Sequence, residues 1–299
     1  MESFEDLFNR TTIMAPRRDA RPFINEEDRS CPFCLANKAC LESIIDESWQ
    51  EGELFVRIVP NRFPVTSKNG AKGQHDVIID TQYHIKHPKD FSVVHWEVLL
   101  SSIQKRWRHL MEDTKIELIQ VFKNYGVKAG ASISHSHWQI IALEEVPRSM
   151  GQKYAAYHQE ACCYLCDEVH HQDGFLVWED AFIEVWVPPI PQFPYEVWFI
   201  PKQHRQHYGE LSVEEIKTLG KLIKYLLEIY HQFNSQGDFN ICMMSGDVRG
   251  KNPYHFYIQL VMRIGHIAGF EIATNCHILS IEPRTYAEEM KKILKGMYK

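Results

Sequence analysis

Two copies of one residue spacing constrain this chain more than any other feature. Cys31-x-x-Cys34 is followed by His84 and His135, and Cys163-x-x-Cys166 is followed by His204 and His255. The two histidines of each set stand 51 positions apart. Shifting the sequence by 120 lays His75–His84 on Tyr195–His204 and continues without a gap to Gln139 on Gln259. Ser92 then meets Ser212, Gly126 meets Gly246 and His135 meets His255. The cysteine pairs match at a shift of 132, so only their connection to the first histidine differs in length. A repeated pattern with repeated punctuation reads as a duplicated unit, and predicts one domain over 1–150 and another over 151–299.

Each unit carries the same order of elements. Val77-Ile78-Ile79 and Val197-Trp198-Phe199-Ile200 are short β-branched and aromatic runs, predicting buried strands. In the second unit Ser212-x-x-Glu215 is a capping box opening a helix over Val213–Phe233, with Ile216, Leu219, Ile223, Leu226 and Leu227 at helical spacing. In the first, the corresponding helix spans Val93–Met111, with Val94, Val98, Ile103 and Leu110 on its apolar side. Further strands are predicted near 116–122 and 239–243, and the histidine strands near 134–143 and 254–262. Strands, one long helix, then more strands predict an α+β fold with a mainly antiparallel sheet and flanking helices. Polar residues and Gly151 interrupt the pattern at 147–153, where the break between units is placed.

Composition narrows the function classes. A hydrophobic content of 44% with 24% charged residues is that of a globular chain, and a net charge of −6 argues against a nucleic-acid surface. No run of apolar residues is long enough to cross a membrane, and residues 1–9 lack the apolar core of a secretory signal. The expected location is the cytoplasm. In that reducing compartment C-x-x-C pairs hold metal or do redox work. Each pair here precedes a strand-rich stretch rather than a strand–helix junction, which favours metal.

Two thiolates and two imidazoles make the tetrahedral set that zinc favours. The expected ligands are Cys31, Cys34, His84 and His135 for one Zn2+, and Cys163, Cys166, His204 and His255 for a second. Cys162 is a rival of Cys163, but only Cys163 forms C-x-x-C with Cys166. His87 and His95 are rivals of His84, but neither meets a histidine under the 120 shift. A closed four-ligand site leaves no open position, so the expected role is structural.

Few residues are identical between the copies, but they differ at one informative place. Ser134-His135-Ser136-His137-Trp138-Gln139 has a second histidine, whereas Tyr254-His255-Phe256-Tyr257-Ile258-Gln259 has a tyrosine there. On a strand, alternate side chains put His135, His137 and Gln139 on one face. A neutral imidazole with one nitrogen tied to a fixed acceptor, such as a carbonyl near His135, can attack phosphorus with the other. Gln139 can donate to a phosphoryl oxygen. Ser132, in the small-residue approach Gly130–Ser134, lets backbone come close to a phosphate. Alternatively, His137 is a third metal ligand or a buried polar residue.

The stretch Gly130–Gln139 resembles the histidine-triad superfamily, and the duplicated two-metal chain resembles its galactose-1-phosphate uridylyltransferase branch from about Met14 to Met290. Pro16–Pro22, Pro60-Asn61-Arg62-Phe63 and Ala268-Gly269-Phe270-Glu271 extend the likeness. It implies His137 as the residue that carries a nucleotide covalently, with Gln139 supporting the phosphoryl group. It further implies Arg18, Arg21 and Asn61 as nucleotide contacts and Glu271 as a hexose contact. Ser136 stands where the uridylyltransferases have proline. The C-x-x-C of the second unit, His255-Phe256-Tyr257 and Gly269–Ile278 look more like the ADP-glucose phosphorylase subgroup. Gly265 stands near an expected lysine.

The resulting expectation is an enzyme: a nucleotidyltransferase acting by double displacement on nucleoside-diphosphate sugars. A uridylyltransferase passing the nucleotidyl group to a hexose 1-phosphate comes first, and a phosphorylase using inorganic phosphate second. Hydrolysis and a zinc-stabilised nucleotide-binding module without turnover are the other readings. Family habit implies a homodimer with shared sites.

Overall fold

The computed structural model describes residues 3–5, 11–25, 27, 30–40, 43–67, 71–159, 163–167, 175–234, 237–265 and 267–297. Strands β1 (Ser3–Glu5) and β2 (Thr11–Ile13) form a small sheet of their own. The first unit continues with β3 (Asp46–Gln50), β4 (Glu53–Pro60), β5 (Gly73–Ile79), helix α1 (Val93–Met111), β6 (Leu118–Tyr125) and β7 (His137–Leu143). The second begins with α2 (Arg148–Gln159) and α3 (Tyr164–Asp167), followed by β8 (Leu176–Glu179), β9 (Ile183–Trp186) and β10 (Val197–Pro201). After α4 (Val213–Phe233) come β11 (Phe239–Met244), β12 (Tyr257–Met262), α5 (Gly269–Thr274) and α6 (Pro283–Met297).

Ten strands make one sheet in the order β3-β4-β5-β7-β6-β11-β12-β10-β9-β8, antiparallel at every strand pair. Read from the centre outward, the two halves of that order match element for element. The β6–β11 pairing joins them, with Cys242 opposite Phe122.

Both long helices have the predicted bounds. Ser212 and Glu215 close a reciprocal capping box on α4, and Ser92 accepts from the His95 N–H at the start of α1. The five apolar α4 positions are all buried. On α1 the predicted stripe is partly corrected: Val94 faces outward at 55% exposure, while Trp96, Leu99, Leu100 and Trp107 are buried. The two helices lie against each other closely enough that a Cβ on Gly220 would stand 3.1 Å from that of Trp96. Residues 147–153, expected as a break, open α2, whose Tyr154 is buried against Tyr254.

Strand alternation separates two faces. Ile58, Ile78, Trp138 and Ile140 belong to the main core with Trp96, Leu99 and Leu222 of the helices. Val59, Val77 and Ile79 turn the other way and pack with Ile24, Cys31, Phe33 and Ile133. Full burial of one such side chain is worth roughly 1.5–3 kcal/mol, so both faces are firmly registered. Among the described residues no helix is long and apolar enough to cross a membrane.

Candidate functional site

The four residues of each predicted ligand set come together. In both Cys31–Cys34–His84–His135 and Cys163–Cys166–His204–His255 the ligand atoms lie within 4.8 Å of one another. Cys31 Sγ and Cys34 Sγ are 3.7 and 3.6 Å from His135 Nδ1, and Cys34 Sγ is 3.5 Å from His84 Nδ1. In the second set Cys163 and Cys166 are each 3.4 Å from His255 Nδ1, and Cys166 is 3.5 Å from His204 Nδ1. Metal–ligand bonds of roughly 2.3 Å to sulfur and 2.05 Å to nitrogen at a tetrahedral angle give an edge of about 3.6 Å. The donor sets therefore fit an ion that takes two sulfurs and two nitrogens.

The outer nitrogens are tied down as metal-binding imidazoles require. His135 Nε2 donates to Thr81 O at 2.8 Å and His255 Nε2 to Pro201 O at 3.0 Å, equivalent positions under the 120 shift. His84 Nε2 lies 3.1 Å from Asn25 O. The rivals are elsewhere. His95 is sandwiched between Phe55 and Phe91 and donates to Asp80 O, and His87 packs on Tyr125 and His231. Cys162 lies outside the described residues.

Beside the first set opens a cleft of about 330 Å³. Arg18, Arg21, Asn61, Ser132, His137 and Gln139 all line it. The segment carrying the two arginines is held against the strand approach by Ile24 N–H to Ser132 O at 2.8 Å and Ser134 N–H to Ile24 O at 2.9 Å. Arg18 donates to Phe63 O at 2.7 Å, and Arg21 Nε is buried without a hydrogen-bond partner. Burial and the neighbouring Arg21 charge lower the Arg18 pKa. Two crowded guanidiniums and an unsatisfied buried donor suit an anionic ligand.

His137 stands outside the Cys/His cluster. Its Nδ1–H donates to His135 O at 2.8 Å, leaving Nε2 with a free lone pair. Phe33, within the cysteine loop, packs edge-on against the His137 ring at 5.2 Å between centroids. Burial pushes the imidazole down to about 4, with Lys123's charge acting the same way against the His135 hydrogen bond. A neutral ring results.

Three residues of this neighbourhood were missed from sequence. His75 is buried and its Nε2 lies 3.0 Å from Gln139 Oε1 and 3.0 Å from Asn61 Nδ2. Behind the strand, Lys123 and Asp80 form a fully buried ion pair at 2.7 Å, and Lys123 also reaches Ser136 Oγ at 2.6 Å and His137 O at 3.3 Å. Burial opposes ionisation of Asp80, but Lys123 holds its pKa below the ordinary carboxylate value. A lysine inside an apolar strand such as β6 was the available signal, because a buried cation demands a partner.

Glu271 does not reach this cleft. It lines a separate one of about 280 Å³ with Arg263 and His277, and its carboxylate accepts from the Ala268 N–H. At the position equivalent to His137 the second unit has Tyr257. That ring packs on Trp198 at 4.7 Å, and Tyr154 of α2 joins the same buried cluster.

The family model described as "Domain of unknown function (DUF4931) N-terminal domain" matches residues 14–146. The chain is similar to the ADP-glucose phosphorylase of Arabidopsis thaliana, 28% identical over 97% of this chain and 92% of that protein. It is 26% identical to the galactose-1-phosphate uridylyltransferase of Thermotoga maritima, over 85% of this chain and 83% of that one. The crystal structure of the Arabidopsis thaliana ADP-glucose phosphorylase with bound ADP-glucose is similar at a TM-score of 0.79, covering 97% of this chain and 98% of that one. With its duplicated sheet, paired Cys/His clusters and first-unit cleft, the chain is similar over most of its length both to galactose-1-phosphate uridylyltransferases and to an ADP-glucose phosphorylase.

Proposed function

We propose that this chain is a nucleotidyltransferase that moves the nucleotidyl group of a nucleoside-diphosphate sugar by way of His137. The observation that carries the reading is the His137 Nδ1–H bond to His135 O, which leaves Nε2 unprotonated in a cleft lined by Arg18 and Arg21. Nε2 attacks the α-phosphorus; a phosphorus–nitrogen bond forms, the bond to the bridging oxygen breaks, and sugar 1-phosphate leaves. An oxygen of the acceptor phosphate then attacks the same phosphorus and the phosphorus–nitrogen bond breaks. Gln139 donates to a phosphoryl oxygen as charge builds there, and the arginines and Asn61 hold the nucleotide. Ser132 brings the cleft wall close to the phosphates.

The Cys31 and Cys163 sets would each hold a zinc ion, which supplies rigidity to the backbone at His135 and His255. We take residues 1–150 and 151–299 as the two duplicated units, with chemistry in the first. Neither C-x-x-C pair is joined as a disulfide, which fits a reducing compartment, and we place the protein in the cytoplasm.

The acceptor we favour is inorganic phosphate, which makes the enzyme an ADP-glucose phosphorylase-like protein, the second of the two expectations from sequence. Support comes from the four-ligand Cys/His set in the second unit, from Gly265 in place of a lysine, and from the 97% coverage by the ADP-glucose phosphorylase of Arabidopsis thaliana. Transfer to a hexose 1-phosphate is the competing reading, favoured by the likeness to the Thermotoga maritima uridylyltransferase. The test is product analysis with ADP-glucose or UDP-glucose and either acceptor. Nucleoside diphosphate formed only when phosphate is present, with glucose 1-phosphate released over many turnovers only then, supports phosphorolysis. Exchange only with galactose 1-phosphate restores the uridylyltransferase, and nucleoside monophosphate released over many turnovers without either acceptor makes the enzyme a hydrolase.

We further propose a homodimer. Glu271 sits on an arm whose Ile267, Phe270, Ile272 and Ile278 are all exposed, a cost that packing against a second copy removes.

A further inference from the structure

His75 touches no reacting atom in this account, yet both of its ring nitrogens face partners. It lies on β5, 3% exposed, with its side chain toward Gln139 of β7. The backbone N–H of Val65 points at His75 Nδ1 from 3.1 Å. A peptide N–H can only donate, so Nδ1 must be the bare nitrogen and the proton of the neutral ring must sit on Nε2. That Nε2–H has two amides within reach. Asn61 offers its nitrogen, because its Oδ1 is already taken by the Phe63 N–H at 2.8 Å, and an amide nitrogen does not accept. Gln139 Oε1, at 3.0 Å, is therefore where the proton goes.

We infer that His75 is a positioning residue that fixes the Gln139 amide with its oxygen turned inward and its NH2 group left to donate to a phosphoryl oxygen in the cleft. The inference rests on the role proposed above for Gln139 and deepens it. An unanchored glutamine amide presents oxygen or nitrogen alike, and an oxygen facing a phosphoryl group repels it. The anchor is relayed through backbone: Val65 N–H sets the imidazole tautomer, and the tautomer sets the amide. Arg18 lies on the same side and disfavours a second proton on the ring, which keeps the relay in one state. In the second unit the equivalent glutamine is held otherwise. Gln259 Nε2 donates to Glu196 at 2.7 Å, which commits its NH2 group, and Tyr195 replaces the histidine. The donor-out arrangement thus belongs to the unit that retains His137.

Two amides differing by one methylene separate this role from packing. In His75→Gln the longer side chain places a donor near the former Nε2 position, whereas His75→Asn ends near Nδ1, keeping the Val65 contact and losing Gln139. Single-turnover transfer from labelled ADP-glucose to the protein, KM and thermal stability are measured for both, alone and combined with Gln139→Leu. We expect His75→Asn to slow transfer roughly tenfold or more with KM changed less than about threefold, and His75→Gln to stay within about threefold of wild type. On the Gln139→Leu background His75→Asn should add nothing, since the two act as one unit. Equal rates for His75→Asn and His75→Gln, or the same slowing by His75→Asn with and without Gln139, overturn the inference and leave the proposed chemistry standing. A Gln139→Leu enzyme as fast as wild type instead removes the role of Gln139 itself.

Discussion

The Nδ1–H of His137 donates to the backbone carbonyl of His135 at 2.8 Å, so the residue proposed to carry the nucleotide is oriented by the metal-site residue two positions before it. Orientation, tautomer and metal site are then one construction. The His135 carbonyl fixes the proton on Nδ1, Phe33 of the cysteine loop packs on the ring, and the cysteines of that loop face His135 Nδ1.

This coupling predicts different consequences for loss of the two metal sets. Cys34→Ser and Cys166→Ser should each lose about one of two ions per chain by elemental analysis, because each breaks a four-ligand site. Turnover should fall more than about tenfold in Cys34→Ser and much less in folded Cys166→Ser, whose cluster lies in the unit without His137. Equal losses of turnover at equal stability would separate the metal from the chemistry.

The buried pair behind the strand gives a stability prediction. Lys123→Met strips the cation from a carboxylate that has no exposure to water, and breaking such a pair costs about 3–5 kcal/mol. Lys123→Met with Asp80→Asn leaves no naked charge and should recover a large part of the loss in urea denaturation. A single variant as stable as wild type would mean that the pair contributes nothing.

Acid should destabilise the protein through its buried neutral histidines. Burial, aided by Arg18 and opposed by the Gln139 hydrogen bond, pushes His75 down to about 4, and burial does the same to His87. The unfolded chain takes up these protons near pH 6.5 while the native state does not, so unfolded binds more and stability rises with pH. From pH 6.5 down toward 5 each such histidine contributes a loss of up to roughly 1.4 kcal/mol per pH unit. In His75→Gln that slope should be shallower than in wild type by one histidine's share. Identical slopes would contradict the neutral His75 on which the tautomer argument stands.

The exposed arm predicts an assembly. Phe270→Ser with Ile272→Ser removes two apolar side chains that are 56% and 76% exposed in the single chain, so a monomer should fold without them. Sedimentation should give a dimer for the wild type and a monomer for the double variant. A wild-type monomer at micromolar concentration would refute the dimer.

Much of this was legible in the sequence, for reasons that particular residues make plain. The duplicated spacing located both ligand sets because metal coordination needs fixed donors whatever the intervening loops do. The Ser212–Glu215 box and the apolar stripe of α4 gave that helix its bounds because capping and periodicity are local. Val94 was misplaced because an apolar residue at the first turn matches the stripe by spacing, yet there it is left exposed. His75 and Lys123 were not recognised because their meaning lies across strands. The first depends on Val65, Asn61 and Gln139, and the second on Asp80 and Ser136, pairings that only the sheet register creates. The helix over 148–159 was missed because Tyr154, its one deeply buried anchor among the described residues, offers no periodic pattern.

The central claim is that His137 Nε2 takes the nucleotidyl group before any acceptor arrives. The direct measurement is incubation of the protein with ADP-glucose or UDP-glucose labelled in the α-phosphate, without phosphate or sugar phosphate, followed by denaturation and counting of protein-bound label. Wild type should retain about one label per chain from the nucleotide it prefers, released on adding the acceptor, and His137→Ala should retain none. Wild type without label, or His137→Ala labelled to the same extent, would contradict the account.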